Sequence, residues 1–523
     1  MPSPASATGN SITRSARTVS LAVLGSRVLG LVREQVLAGL FGASREFDAF
    51  ITAFRIPNLL RDLFAEGALS AAFVSTFTQK LTVEGDRAAW RVANLVLNAL
   101  LVVLSTITIL GIVAAPWIVK LIAPGFAEIP GKVELTVQLT RIMFPFLLLI
   151  AVAALAMGML NSKQHFGIPA SASMMFNIGS ILGGVGLAYW LDPSLGPRAM
   201  IGVSIGTLIG GAAQLLIQVP SLFRVGYRYE PLLKWNDPDF RRVVTLLGPS
   251  VLGVAAVQIN VFVDNWFASF FGNGAVTWLN CAFRLMQFPI GLFGVAIGVV
   301  TLPAASAHVA RGDIDAFRQM LGRSIRLAMF LCLPAACGLA VLADPIVAAI
   351  YQHGKFATTD TAQTAWCLRA FAVGLAGYAA IKVIAPTFYA FGDSKTPMRV
   401  ALFSILINAG LDYVFGMLLG MRTPGLALST SCVALTNFFL LMFFMRRRIQ
   451  RIEATVLLQS LWRIAVAAAV MSAAAWAVSA TLHINRYLDL LAAIAAALVG
   501  SEEHTSELQS HSDLVCRLLL EKK

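Results

Sequence analysis

The chain has 523 residues, of which 58% are hydrophobic and only 13% are charged. A soluble globular protein carries about twice that charged fraction, because its surface must face water. The composition therefore excludes a disordered chain, a fibrous repeat and a water-soluble enzyme, and it predicts a polytopic membrane protein. The net charge of +13 is explained by the enrichment of Lys and Arg in cytoplasmic loops, so no nucleic-acid partner is expected.

Apolar segments separated by loop signals predict fourteen transmembrane helices, since a span needs about 20 mostly apolar residues. In chain order they are expected at 15–41, 46–79, 91–119, 135–161, 167–191, 199–223, 240–271, 275–305, 322–351, 361–391, 397–420, 424–445, 457–482 and 487–500. The predicted fold class is thus all-α. The six cysteines form no CxxC pair and no cluster with histidine, so they are interpreted as small apolar side chains.

The distribution of basic residues predicts the orientation of these helices. With the N-terminus in the cytoplasm, the inside segments hold 21 Lys and Arg residues and the outside loops hold seven. Such a bias across alternate loops is what the positive-inside rule describes. We therefore expect a multi-pass protein with a cytoplasmic N-terminus.

Short motifs recur in the same order 227–230 residues apart. Phe41-Gly42 returns as Phe271-Gly272, and Ala53-Phe54-Arg55 returns as Ala282-Phe283-Arg284; the other matches are Gly85 with Gly312, Arg141 with Arg369, and Pro169 with Pro397. Each unit would hold six helices, an even number, so the two repeats are expected to be parallel, as in many transporters. We expect an N-terminal lobe at 1–228, a C-terminal lobe at 229–455 and two extra helices at 456–500.

The last segment, 501–523, differs abruptly from the alanine-rich helix before it. Its sequence, SEEHTSELQSHSDLVCRLLLEKK, resembles translated sequencing-adapter DNA and is expected to be non-native. It is excluded from functional reasoning. On this interpretation the fourteenth helix is shorter than a full span.

Charged residues inside the predicted helices are the most informative feature of the chain. A charge at the centre of a bilayer costs at least about 2.5–3.5 kcal/mol, so several of them indicate an interior, water-filled cavity. Guanidinium binds phosphate in a planar, bidentate way, which favours a phosphate or pyrophosphate substrate for Arg27, Arg33, Arg61 and Arg284. The alternative is that each arginine pairs with a helix acid; the available acids are Asp48, Asp62, Glu66 and Asp264.

The sequence contains no catalytic motif of the GxSxG, P-loop or HExxH type, and its histidines do not stand at metal-ligand spacing. We therefore expect a transporter that uses no cofactor or metal, rather than an enzyme. A membrane glycosyl or phosphoryl transferase would need a cluster of metal-binding acids near the interface, and the sequence offers none.

Five stretches are distinctive: SRVLGLVRE at 26–34, FGASREFDAFITAFRIPNLLRDLFAEGALSAAFVSTF at 41–77, FRLMQFPIGLFGVAIGVVTLP at 283–303, YQHGKF at 351–356 and KVIAPTFYAFGDSKTP at 382–397. Together they resemble the MurJ (MviN) family of bacterial lipid II flippases, which belongs to the MOP superfamily of alternating-access exporters. The resemblance runs from about residue 15 to residue 499. It implies a MATE-like fold of two six-helix lobes plus two helices that form a groove for the polyprenyl tail.

The resemblance also implies a substrate, a site and a location. The substrate would be lipid II, a disaccharide pentapeptide linked to undecaprenyl pyrophosphate, moved from the cytoplasmic to the periplasmic leaflet of the bacterial inner membrane. The family's cavity arginines match Arg27, Arg33, Arg61 and Arg284, and its cavity or gating acids match Asp48 and Glu66. A monomer in contact with membrane lipids is expected, and association with the cell-wall synthesis machinery is a further expectation.

One segment departs from the family pattern. Where some members have Asp-Arg-Leu-Met-Glu, this chain has Phe283-Arg284-Leu285-Met286-Gln287. Two acids beside Arg284 are missing, which makes the expected cavity more positive and leaves no carboxylate there for a gating ion pair.

Two other functions stay open within the superfamily. An exporter of another polyprenyl-linked saccharide would use the same pyrophosphate group. An exporter of cationic drugs would need an acidic or aromatic cavity, which disagrees with the arginines.

Overall fold

The computed structural model describes residues 4–61, 68–450 and 454–481, and within these ranges the regular elements are all helices. The chain divides into two compact units, 1–277 and 278–523. Ten stretches of the described chain are long and apolar enough to cross a membrane: Asp86–Ile122, Lys132–Ser162, Gly167–Leu191, Pro197–Arg224, Ala275–Ala310, Ile314–Val341, Thr358–Ala390, Lys395–Leu418, Arg422–Ile449 and Gln459–Val478. The predicted all-α, polytopic membrane class is confirmed.

In the described part of the first unit the chain forms successive α-helices. They are α1 (Pro4–Phe41), α2 (Arg45–Arg61), α3 (Ala68–Val83), α4 (Asp86–Ile122), α5 (Lys132–Met143), α6 (Phe146–Ser162), α7 (Gly167–Leu191), α8 (Pro197–Leu216), α9 (Val219–Arg224), α10 (Pro238–Ala268) and the start of α11 (Ala275–Pro289).

The second unit continues α11 through a π-helical turn at Ile290–Gly294. It then contains α12 (Val295–Ala310), α13 (Ile314–Val341), α14 (Ala343–Tyr351), α15 (Thr358–Ala390), α16 (Lys395–Asp412), a π-helical turn at Tyr413–Leu418, α17 (Arg422–Ile449) and α18 (Ala454–Thr481).

The described parts of the first thirteen predicted segments fall on helices, although several boundaries differ and some segments are interrupted. The segment predicted at 135–161 is two helices, because Pro145 has no N–H to continue the hydrogen-bond ladder from α5 into α6. The segment predicted to start at 322 begins at Ile314, since the Asp313 carboxylate accepts a hydrogen bond from the Ala316 N–H at 2.9 Å and caps α13. The predicted helix at 487–500 lies outside the described residues, so the count of fourteen stays a prediction.

The first compact unit is longer than the predicted N-terminal lobe, because it includes α10. Two ion pairs join the start of α10 to earlier helices: Lys80 Nζ lies 3.1 Å from Asp239, and Arg91 lies 2.6 Å from Asp237. The lobe limits of 228 and 455 therefore stay a prediction that the compact units do not test.

Two asparagines of α4 hold the segment between α9 and α10 along that helix. The Asn94 side chain donates to the Arg228 carbonyl at 3.0 Å and accepts from the Tyr227 hydroxyl at 2.7 Å. Asn98 repeats the pattern with the Glu230 carbonyl at 2.9 Å. Burial raises the pKa of Tyr227 to about 12, so this hydroxyl stays protonated and able to donate at neutral pH.

The outward face of α4 has the apolar character that a lipid-facing helix requires. Its exposed residues include Ile109, Leu110, Val113, Trp117 and Leu121. The opposite face buries Leu104, Ala115 and Val119 against the rest of the unit. In water an exposed stripe of this size would favour aggregation, whereas in a bilayer it is the normal surface.

Helices α7 and α8 pack closely along a line of glycines. A Cβ atom on Gly206 would lie 2.2 Å from the Gly184 backbone, and one on Gly210 would lie 2.5 Å from the Phe176 carbonyl oxygen. Small residues at such spacing let membrane helices approach closely and gain van der Waals contact. The closely packed pair α7–α8 therefore supports the helices that contact it.

Candidate substrate and gating site

The two arginines of α1 lie in different environments. The Arg27 side chain is exposed, whereas the Arg33 side chain is only 12% exposed and lies 3.5 Å from Glu34. Six residues separate them, so on an ideal helix they point about 120° apart. The structure therefore exposes the Arg27 guanidinium and places the Arg33 guanidinium beside the neighbouring helix α7.

Two adjacent residues of α7 contact α1 at this place. The guanidinium carbon of Arg33 lies 5.2 Å from the centre of the Phe176 ring, at cation–π distance. The Asn177 amide donates to the Ser26 carbonyl at 3.1 Å and to the Ser173 carbonyl of its own helix at 3.2 Å. Both α7 side chains are buried, so they fix the part of α1 that carries the two arginines.

The other two predicted arginines lie at the end of α2 and within α11. Arg61 is the last residue of α2 and is partly buried. Arg284 is exposed on the portion of α11 that belongs to the second unit. Both take part in polar or charged interactions, and the convergence of all four arginines on one cavity stays a prediction.

Asp48 lies at the centre of a polar cluster in which Asp48, Lys132 and Thr277 are fully buried. Its carboxylate accepts from Lys132 Nζ at 2.9 Å, from the Gly274 N–H at 2.8 Å, from the Thr277 N–H at 2.9 Å and from the Thr277 hydroxyl at 2.8 Å. Lys132 also donates to Asn273 Oδ1 at 3.2 Å. We call these five residues the Asp48 cluster.

The Asp48 cluster joins three helix starts. Asp48 is in the first turn of α2, Lys132 is the first residue of α5, and Thr277 is in the first turn of α11. A carboxylate that accepts from first-turn N–H groups satisfies donors that the helix cannot satisfy and interacts favourably with the helix dipole. The cluster thus connects the three helix starts by charge-assisted hydrogen bonds. Its buried groups would need water or new partners if the three helices separated.

Lys132 is unusual for a lysine because its side chain has no exposed surface. Its ammonium lies 4.1 Å from the centre of the Phe126 ring as well as beside Asp48. A buried ion pair is tolerated only when each charge has a partner and its remaining hydrogen-bonding groups are satisfied. Both conditions hold here.

Beside this cluster, α2 is also bonded to α10. The Thr52 hydroxyl donates to Asn265 at 3.3 Å, and the Arg55 guanidinium donates to the Val261 carbonyl at 3.0 Å. Arg55 belongs to the repeated Ala53-Phe54-Arg55 motif, and one of its hydrogen bonds goes to a backbone carbonyl of α10. Glu66, the second predicted gating acid, lies outside the described residues.

The described residues contain no group of three or more His, Cys, Asp or Glu side chains that could hold a metal ion.

Comparison with known proteins identifies the family. The model of the family described as lipid II flippase MurJ matches residues 37–494. The chain belongs to the MurJ lipid II flippase family. A curated relative, the probable lipid II flippase MurJ of Vibrio cholerae, is 37% identical over 433 residues, which cover 81% of each chain.

Solved structures agree with the MurJ assignment. A lipid II flippase MurJ in an inward closed conformation matches with a TM-score of 0.78 and 26% identity, covering 94% of this chain and 99% of the other. An inward-facing MATE family transporter of the MOP superfamily matches with a TM-score of 0.65 and 18% identity, covering 83% of this chain and 94% of the other. The MATE-like fold is confirmed, and membership in a family of flippases confirms the prediction of a transporter rather than an enzyme.

At position 283 of helix α11 this MurJ-family chain has Phe283, where some family members have an acid, and Phe283 makes an aromatic contact. The ring of Phe283 lies 5.5 Å from the ring of Phe371 on α15. A carboxylate at position 283 would have been placed against an apolar side chain. The departure from the family pattern therefore fits an apolar contact between α11 and α15.

Sequence reasoning missed three residues of the site in this MurJ-family chain. Lys132 precedes the predicted helix at 135–161, and Phe176 and Asn177 lie inside the predicted span at 167–191. The resemblance did not point to them, and helical periodicity does not tell which apolar or amide side chain will meet a charge.

Proposed function

We propose that this chain moves lipid II from the cytoplasmic to the periplasmic leaflet of a bacterial inner membrane by alternating access. The observation that carries this proposal is the match of the MurJ family model to residues 37–494. The apolar, multi-span chain supplies the transporter scaffold. In this proposal the N-terminus is cytoplasmic, and the protein acts as a monomer that associates with the cell-wall synthesis machinery.

In this mechanism the pyrophosphate of lipid II is the group that the protein holds. Arg27, Arg33, Arg61 and Arg284 bind it, because guanidinium groups remain charged in an apolar surrounding and match phosphate oxygens in pairs. The exposure of Arg27 and Arg284 supports the proposal, since a substrate must be able to reach them. The polyprenyl tail stays in hydrocarbon along the two extra helices.

Asp48 acts in this proposal as a gating acid that holds the outer end of the protein closed. The support is its set of four buried hydrogen bonds to the starts of α5 and α11. Breaking these hydrogen bonds costs much free energy while the cluster excludes water. It costs little once water enters and replaces the lost partners. Glu66 is proposed as the second gating acid on the family resemblance alone.

Binding and gating are linked through charge. Four arginines in one cavity repel one another, and an anionic substrate removes that repulsion, so substrate binding favours closure around the head group. A ligand can shift such an equilibrium only by its difference in affinity for the two states. The pyrophosphate provides that difference if the arginines approach each other in one state more than in the other.

The decisive experiment is rescue of bacteria depleted of their own flippase. Cells that express this chain should grow, and lipid II should become accessible to an external probe. Reconstituted vesicles that carry lipid II, another polyprenyl-pyrophosphate saccharide or a cationic drug then separate the three candidate substrates. Transport of the drug alone, or of the other saccharide alone, would contradict the proposal.

Arginine variants test the proposed role of the pyrophosphate. Arg27→Gln should reduce flipping at least tenfold while the protein remains folded in the membrane, because one of the proposed charge-assisted contacts is lost. Arg228→Gln removes the same charge from an exposed position between α9 and α10 and should transport normally. Normal flipping by Arg27→Gln would contradict the binding role of that residue.

A further inference from the structure

We propose that Phe176 and Asn177 of α7 are positioning residues that orient α1 so that Arg27 and Arg33 meet the two phosphates of the substrate. This inference rests on the proposed function and adds the residues that give it selectivity. Neither side chain carries a charge, and both are buried. Their effect would be exerted through the arginines.

The first contact holds the Arg33 side chain. Its guanidinium lies 5.2 Å from the Phe176 ring centre, and that ring is itself supported by Phe146 at 5.5 Å, which contacts Phe54 at 5.6 Å. Cation–π stacking engages the flat face of a guanidinium, whereas phosphate is bound through its N–H edges. The ring can therefore restrict the side chain without competing with an anion.

The second contact holds the backbone next to Arg27. The Asn177 amide donates to the Ser26 carbonyl at 3.1 Å, and its second hydrogen bond, to Ser173 at 3.2 Å, fixes the orientation of the amide. In a helix the Ser26 carbonyl already accepts from the N–H four residues later. An added donor from α7 therefore fixes the position of this turn relative to the neighbouring helix.

The two contacts together determine how α1 is rotated about its axis. Ser26 and Arg33 are seven residues apart, which places them on the same face of a helix after two turns. They meet consecutive residues of α7, so one short segment of α7 holds α1 at two points. Arg27 is then directed about 100° away from that face, which fits its exposed side chain.

The support is rigid because α7 is itself locked to α8. Gly210 lies so near the Phe176 carbonyl oxygen that an added Cβ would be only 2.5 Å away. The backbone of Phe176 has little freedom to move toward α8. The orientation of α1 is thus set by a helix that is itself closely packed against α8.

A fixed spacing of two guanidiniums is a basis for selectivity. A pyrophosphate offers two phosphoryl groups to two arginines, whereas a monophosphate offers one. Loosening α1 should therefore weaken binding of a pyrophosphate lipid more than binding of a monophosphate lipid. A residue with only a structural role would weaken both equally, or neither.

The test measures binding of undecaprenyl pyrophosphate and undecaprenyl phosphate to the full chain in detergent. Phe176→Leu and Asn177→Ala should each weaken pyrophosphate binding about three- to tenfold, the range expected for loss of a partly desolvated cation–π contact or a helix-positioning hydrogen bond. Binding of the monophosphate should change less than twofold. Phe176→Tyr keeps the ring and should behave like the unchanged protein.

Matched controls separate this effect from general destabilisation. Ser180→Ala alters a buried polar residue one turn further along α7, and Phe77→Leu removes a fully buried ring from another cluster; both should leave the binding ratio unchanged. If Phe176→Leu or Asn177→Ala lowers binding of both lipids equally, or of neither, the inference is overturned.

A double-mutant cycle keeps the inference testable even if a variant is less stable. In an Arg33→Gln background, Phe176→Leu should have less than twofold effect on pyrophosphate binding, because the cation that it orients is gone. An undiminished effect would overturn the positioning role. An unchanged protein that binds no pyrophosphate lipid would instead overturn the proposed function, so the two failures are distinguishable.

Discussion

Asp48 and Lys132 form a fully buried ion pair, in contrast to the exposed charges of the loops. Its surroundings explain why it persists: the carboxylate has four donors, and the ammonium has a carboxylate, an amide oxygen and an aromatic ring. A buried pair adds little stability relative to apolar residues, but removing one partner leaves an uncompensated charge. The pair is therefore better suited to specifying an arrangement of helices than to strengthening it.

Replacement of Lys132 tests this property directly. Lys132→Met should destabilise the protein by about 3 kcal/mol or more, because Asp48 is left buried without its counter-ion. The double variant Lys132→Met/Asp48→Asn should recover much of the loss, since the charge is then absent. Thermal unfolding in detergent measures both effects. Lys120→Met, which changes an exposed lysine at the end of α4, is the control and should unfold like the unchanged protein.

At the scale of elements, helix pairs are held by close packing inside the membrane and by polar contacts at their ends. The α7–α8 pair shows the first, with glycine backbones in contact. The loop between α15 and α16 shows the second, because Asp393 accepts from the Thr396 N–H at 3.0 Å and from Arg448 at the end of α17 at 2.8 Å. These two kinds of contact predict different responses to mutation.

Glycine replacements should separate close packing from helix propensity. Gly206→Ala places a methyl group 2.2 Å from the Gly184 backbone, so α7 and α8 must move apart and the protein should lose several kcal/mol of stability or fail to accumulate. Gly186→Ala, on α7 with no atom within 4 Å of the added Cβ, should be neutral or stabilising by up to about 1 kcal/mol. The unfolding temperatures and membrane levels of the two variants measure the difference. Equal behaviour would mean that the glycine line is not a packing interface.

The Asp393 contact should respond to acid. Partial burial raises the pKa of this carboxyl, but the bonds from Thr396 and the charge of Arg448 outweigh it, so its pKa lies below the ordinary value. A lowered pKa means that its stabilisation is present above the unfolded-state pKa and disappears as pH falls through the folded-state value. Asp393→Asn should therefore be less stable at neutral pH by no more than about 1 kcal/mol, and the difference should vanish as the pH falls from neutral to below the folded-state pKa of this carboxyl.

Unfolding of Asp393→Asn and the unchanged chain across that pH range is the measurement. The control is Asp315→Asn, which removes an exposed ion pair with Arg318 and should have no measurable effect at any pH. A difference for Asp393→Asn that persists in acid would show that the amide perturbs something other than the charge.

At the scale of the whole molecule, the arrangement of charges along the chain predicts its orientation in the membrane. Positions expected outside include Arg198 and Lys355, and positions expected inside include Arg228 and Arg311; all four side chains are exposed. The described cysteines are free and lie in apolar helices, so an introduced cysteine at a loop should label above background once Cys516 is replaced.

Labelling by a membrane-impermeant maleimide checks this orientation. Arg198→Cys and Lys355→Cys should react in intact spheroplasts, whereas Arg228→Cys and Arg311→Cys should react only after permeabilisation. The reverse pattern would place the N-terminus outside. Labelling of all four from one side would contradict the number of spans between them.

The composition of the chain and the length of its apolar segments are enough to determine its fold class. Because lipid offers no hydrogen-bonding partners to the backbone, long uncharged runs favour helices, and the described parts of thirteen predicted segments fall on helices. Motifs such as SRVLGLVRE were enough to indicate the family. These properties are local, so they can be read along the chain.

Only the tertiary structure decided which residues meet. Asp48 and Lys132 are 84 residues apart, and Arg33 and Phe176 are still further apart along the chain. Nothing in the pattern around Lys132 shows that it is buried, because a lysine at the start of a helix is usually solvated. Partner choice depends on how helices are rotated and how closely they pack, and in this chain contacts such as those along the α7–α8 glycine line set both.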